Sequence, residues 1–137
     1  MMFADFDRAV KTSDLEKALS TTLTELGYKT LKVTDDYCSK EYVQGEMVPI
    51  KEGVEYEVRR NFLTPKIRIG FKFKHDYDVN SNKLIYRKEL AKQLYASVYS
   101  LNSARYEKTL LDIIKSTVNK INKDVETKND INIIYYK

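Results

Sequence analysis

Residues 58–75 carry six cations, Arg59, Arg60, Lys66, Arg68, Lys72 and Lys74, and no carboxylate. Guanidinium and ammonium groups gathered on one surface bind phosphates, because each neutralised phosphate releases condensed counterions. If this stretch folds back on itself as two strands, Lys66, Arg68, Lys72 and Lys74 share the solvent face. Lys88, Lys92 and Arg105 extend the basic set further along the chain. Glu55 and Glu57 point to the same face. Either sensible register sets a carboxylate against a base, Glu57 against Arg68 or Glu55 against Lys72. Cross-strand ion pairs of this kind are ordinary on a solvated sheet. The stretch therefore supports two readings, a nucleic-acid surface and a neutralised outer face.

Aromatic rings could add stacking platforms for bases. Tyr56, Phe71, Phe73 and Tyr77 alternate onto the face opposite the cations, which argues against a stacking sheet. Tyr95, Tyr99, Tyr135 and Tyr136 are the better exposed candidates. Tyr95 and Tyr99 flank an apolar helical stripe, where a ring buries area while its hydroxyl stays wet, and this suits a protein interface.

Few residues have the types that catalysis or metal binding needs. Asp76, Asp78 and Asn80 open like a calcium loop, but Ser81 stands where glycine is required and Arg87 where a bidentate Glu is required. Asp and Asn also favour turns through their own backbone. His75 is the sole histidine, and Cys38 the sole cysteine. A Cys38–His75 nucleophile–base pair is chemically conceivable, with no local motif behind it. The four glycines are scattered singly, so no phosphate-cradling loop is present. A non-enzymatic protein without metal or cofactor is expected.

The elements that must position these residues follow from periodicity. Val54, Tyr56 and Val58, then Ile67, Ile69, Phe71 and Phe73, alternate with polar residues, which predicts an antiparallel hairpin over residues 54–79 turning near Pro65. Phe3, Phe6 and Val10 have helical spacing and predict a short opening turn. Ser13 and Glu16 form a capping box, and Leu15, Ala18, Leu19, Thr22, Leu23 and Leu26 form a stripe ending at Gly27. Residues 30–34 alternate as a strand, and residues 37–50 make one or two short strands, with Pro49 suiting an edge or bulge. Leu90, Leu94, Val98 and Leu101 predict a helix over 86–101. Ser103 caps a second, running from Tyr106 to about residue 126. The β-prone end, with Ile133, Ile134, Tyr135 and Tyr136, predicts a last strand joining the sheet. The expected fold is a two-layer α+β sandwich in one domain, with an N-terminal helix and two C-terminal helices.

The totals agree with a globular chain of 137 residues, 42% hydrophobic and 32% charged. No apolar run is long enough to span a bilayer, the acidic N-terminus does not resemble a signal peptide, and a lone cysteine suits a reducing compartment, so a cytoplasmic location is expected. The Lys-, Asn-, Ile- and Tyr-rich composition suits an AT-rich genome such as that of a low-GC bacterium, its phages or a mobile element. Residues 1–53 hold 7 Lys/Arg against 10 Asp/Glu, whereas residues 54–137 hold 17 against 10. This asymmetry favours a binding protein that engages nucleic acid or a nucleoprotein enzyme through its basic half. The alternative is a protein–protein module, an inhibitor or assembly component that uses its Tyr-rich edge and terminal strand, with a foreign partner or further copies of itself.

Overall fold

The computed structural model describes residues 2–43, 45–100, 102–124 and 133–136, with backbone alone for 35–43, 48–51, 103, 123, 124 and 133–136. The elements run β1 (Met2–Lys11), α1 (Thr12–Glu25), β2 (Lys29–Val43), β3 (Glu46–Arg59), β4 (Ile67–Asp78), β5 (Lys83–Val98), a 3₁₀ turn (Ser103–Tyr106), α2 (Glu107–Asp124) and β6 (Ile133–Tyr136). The strands form one antiparallel sheet in the order β2-β3-β4-β5-β1-β6. The α+β class and the terminal strand agree with the sequence reading.

The central hairpin is β3–β4, with Glu57 opposite Arg68 and Val58 opposite Ile67. Its turn is built by Asn61. The Asn61 side-chain carbonyl accepts from the Leu63 amide at 2.9 Å, and the Asn61 backbone carbonyl accepts from the Thr64 hydroxyl at 2.9 Å. The inward phase is buried as expected: Val54, Val58, Ile67, Ile69, Phe71 and Phe73. Tyr56 packs at its margin. Both helices lie on this side and touch each other, and Leu15, Leu19 and Leu23 of α1 and Leu110, Ile113, Ile114 and Ile121 of α2 close the core. The opposite face of the sheet has no covering layer among the described residues.

Three expected elements differ. Residues 86–98 are strand, not helix. Leu90, Leu94 and Val98 fit a helical stripe, yet Leu94, Ala96 and Val98 also alternate, and they pair with Phe71, Ile69 and Ile67. Completing the sheet pairs the facing edges of β4 and β1 and buries Ala91, Leu94 and Ala96, which outweighs local propensity. A single C-terminal helix therefore remains, preceded by a short 3₁₀ turn. The opening segment is also strand: Met2, Ala4, Phe6 and Val10 face the core from β1. The capping box does not form. Helix α1 begins at Thr12, and no side chain caps it. The buried Thr12 hydroxyl instead donates to the Lys88 carbonyl at 2.5 Å, pinning an irregularity in β5. Gly27, at φ +81°, ends the helix as expected.

The sheet forks. The last rung between β3 and β4 is Gly53 opposite Lys72. Beyond it β3 stays with β2 to the rung of Val43 and Glu46, and β4 stays with β5 to the rung of Asp78 and Lys83. Two long two-stranded arms result, where short ambiguous strands were expected for residues 37–50. Pro49 lies where β3 has only β2 beside it, the position a residue without an amide hydrogen tolerates. Gly53 sits at the crotch, where a Cβ would lie 1.9 Å from the Phe71 carbonyl oxygen, so only glycine allows the strands to approach here.

Candidate binding surfaces

Because β5 is a strand, Tyr95 and Tyr99 are on the uncovered face of the sheet beside the cations, not on a helix edge. Their fates differ. Tyr95 is only 5% exposed and its hydroxyl donates to Glu55 Oε2 at 2.5 Å. Its ring lies against Gly70, where a Cβ would come within 2.6 Å of the Tyr95 oxygen and 2.4 Å of the Val54 carbonyl. Tyr95 is thus part of the sheet's own packing. Tyr99 follows the end of β5, 77% exposed, with the Arg68 guanidinium 5.1 Å from its ring centre.

The six hairpin cations do not form one surface. Arg59, Lys66 and Arg68 meet at the turn end of β3–β4, where with Glu57, Pro65 and Tyr99 they line a pocket of about 320 Å³. Lys66 pairs with Glu57 at 3.3 Å and Arg68 approaches Glu55 at 3.9 Å, so the ion pairs run diagonally and not across the rung. The buried Nε of Arg59 has no hydrogen-bond partner among the described residues. Arg60 serves α1. It donates twice to the Leu26 carbonyl, at 3.1 and 2.9 Å, and stacks 5.0 Å from the Tyr28 ring centre. A cation at a helix C-terminus offsets the partial negative charge of the last carbonyls. Burial holds the Tyr28 phenol above its ordinary range, against the lowering influence of Arg60.

The remaining cations are spread out. Lys72 and Lys92 line a second cleft of about 480 Å³ at the fork, with Asp5, Glu52, His75, Tyr86 and Gln93 among its walls. Two carboxylates offset the lysines there. Lys74 lies opposite Arg87 on the β4–β5 arm. Lys88 lies at the irregularity held by Thr12, and Arg105 on the 3₁₀ turn. Tyr135 and Tyr136 belong to β6, opposite Ala4 and Phe3 of β1; their side chains lie outside the described residues.

The β4–β5 arm is amphipathic. His75 opposite Tyr86 and Tyr77 opposite Leu84 share one face, and the His75 and Tyr86 rings are 5.7 Å apart. Lys74 and Arg87 lie on the other face with Asp76 and Ile85. Arg87 donates to Asp76, and this hydrogen bond, with Lys74 and His75 nearby, holds the Asp76 carboxyl below its ordinary range. Asp78 is likewise lowered by the Ser81 hydroxyl and the Asn80 amide. Both carboxylates of the apparent calcium loop are thus occupied locally, and no group of three metal-ligating side chains comes together among the described residues. His75 is exposed on the arm. The Cys38 side chain lies outside the described residues. Beyond the helix layer, Tyr77 is 57% exposed, Ile85 50% and Leu84 38%.

The sequence reading missed the Tyr95–Gly70–Glu55 lock and the fork. One signal was available: a lone glycine at an outward strand position among Lys and Arg marks a close approach. No helix among the described residues is long and apolar enough to cross a membrane. Comparison with models of protein families, with curated proteins and with solved structures finds no match.

Proposed function

We propose that the protein is a non-enzymatic assembly subunit that associates with further copies of itself through the two arms of its forked sheet. The observation that carries this reading is the exposed surface of the β4–β5 arm, where His75, Tyr77 and Leu84 share one face open to solvent and Tyr86 beside them reaches back to the margin of the core. A two-stranded ribbon without a packed face is marginal in water. Covering that face in a complex supplies the missing layer. A second copy is the favoured occupant on charge grounds. The β2–β3 arm, residues 35–52, holds five acids against two lysines, whereas residues 54–137 hold 17 Lys/Arg against 10 acids. Complementary charge of this kind sets orientation and speeds encounter. An acidic arm docking on the basic part of a neighbour is a head-to-tail contact, which generates rings or filaments.

Sedimentation velocity tests the reading. Wild-type protein is expected to form species heavier than the monomer as concentration rises. The double variant Tyr77→Ser/Leu84→Ser, changed only at exposed arm positions, is expected to stay monomeric while keeping the wild-type circular dichroism. A wild-type chain that remains monomeric throughout, or a variant that associates equally well, contradicts it.

A further inference from the structure

The turn end of the β3–β4 hairpin lies five rungs from the fork, about 17 Å along the strands. Nothing in the arms' role uses it. Arg59, Lys66 and Arg68 converge there on the uncovered sheet face, beside the exposed ring of Tyr99. We infer that this pocket holds a phosphodiester of single-stranded nucleic acid, the phosphate between Arg59, Lys66 and Arg68 and an adjoining base against Tyr99.

Three observations carry the inference. The first is convergence: Arg59 lines this pocket together with Lys66 and Arg68, three cations from the two strands of one hairpin. The second is charge. Glu57 and Glu55 offset Lys66 and Arg68, at 3.3 and 3.9 Å, and Arg59 is the cation in excess. The longer Arg68 contact leaves its fork of donors geometry to turn toward a phosphate, which a planar guanidinium matches well. The third is Tyr99. A ring 77% exposed has one face open even with Arg68 over the other. Base stacking on such a ring is sequence-tolerant, because every base has a π-face. The pocket is open to the sheet surface, which suits an unpaired strand whose bases splay outward.

The test is fluorescence anisotropy of full-length protein with a short labelled oligothymidylate, titrated across salt. Binding that weakens as salt rises is expected. Arg68→Gln and Tyr99→Ala should each weaken it by roughly tenfold or more, and Arg68→Gln should lower the salt slope by about one phosphate contact. Lys108→Gln, on the exposed face of α2, should leave affinity unchanged. Tyr99 contributes little packing, so its variant keeps the fold and reads binding alone. Three outcomes overturn the inference: no binding at low salt, affinity unaltered in both pocket variants, or equal loss in Lys108→Gln. A duplex that binds as tightly as the single strand overturns the stacking role. Polyglutamate that displaces the oligonucleotide at equal charge concentration assigns the pocket to acidic peptides instead.

Discussion

Single residues decide how the uncovered face of the sheet is built. Gly70 leaves room for the Tyr95 ring, which in turn delivers its hydroxyl to Glu55. Gly70→Ala places a methyl against the Val54 carbonyl and the Tyr95 oxygen, and should cost about 2 kcal/mol through overpacking. Urea unfolding checks this; Tyr95→Phe removes only the hydrogen bond and should cost about 1 kcal/mol. A second residue-scale expectation concerns acid. The Asp76 carboxyl, lowered by its hydrogen bond from Arg87, contributes stability above the ordinary carboxylate range. That contribution is lost as pH falls through the lowered folded-state value. The arm should therefore loosen only in acid. NMR shifts of Tyr77 and Ile85 should report a transition below the ordinary carboxylate range that Asp76→Asn removes, while core shifts stay put. Shifts that instead move near neutrality, or persist in Asp76→Asn, would point to another group. At this scale the sequence was partly readable. The Glu57–Arg68 rung was one of two registers that alternation allowed, but the assignment of Arg60 to the Leu26 carbonyl depends on where α1 ends in space, which spacing does not reveal.

Elements show where periodicity is decisive and where it is degenerate. Hairpin β3–β4 was legible because its alternation has no helical reading. Segment 84–98 satisfied both periods. Leu90, Leu94 and Val98 make a helical stripe, and Leu94, Ala96 and Val98 make a strand face. The vacancy between β4 and β1 settled it, and that vacancy is a property of the whole sheet. The same holds for Phe3, Phe6 and Val10, whose spacing hides a strand interrupted by a register shift between Asp5 and Val10. The consequence for function is direct. Reading 86–101 as a helix placed Tyr95 and Tyr99 away from the cations; as a strand it brings them together, and only Tyr99 is left free to meet a ligand. The fork was invisible for a related reason: nothing in the composition of β3 or β4 says where their mutual pairing stops, except Gly53.

At the scale of the molecule, one layer of helices covers one face of the sheet, and the arms run past it. The unequal charge of the two parts of the sequence acquires a geometric meaning, since the acidic residues 35–52 form one arm and the other arm belongs to the basic part. The nine cations singled out in the sequence divide among different places, and only Arg59, Lys66 and Arg68 come together in one pocket among the described residues. Charge counts alone do not distinguish a scattered set from a converging one, because convergence is set by register and twist. Assembly through the arms is the central claim. Hydrogen–deuterium exchange of the backbone amides in 74–87, measured at low and high protein concentration, tests it most directly. The arm should exchange freely in the dilute protein and become protected as copies associate, while the amides of α2 stay unchanged. Equal exchange at both concentrations would contradict the account.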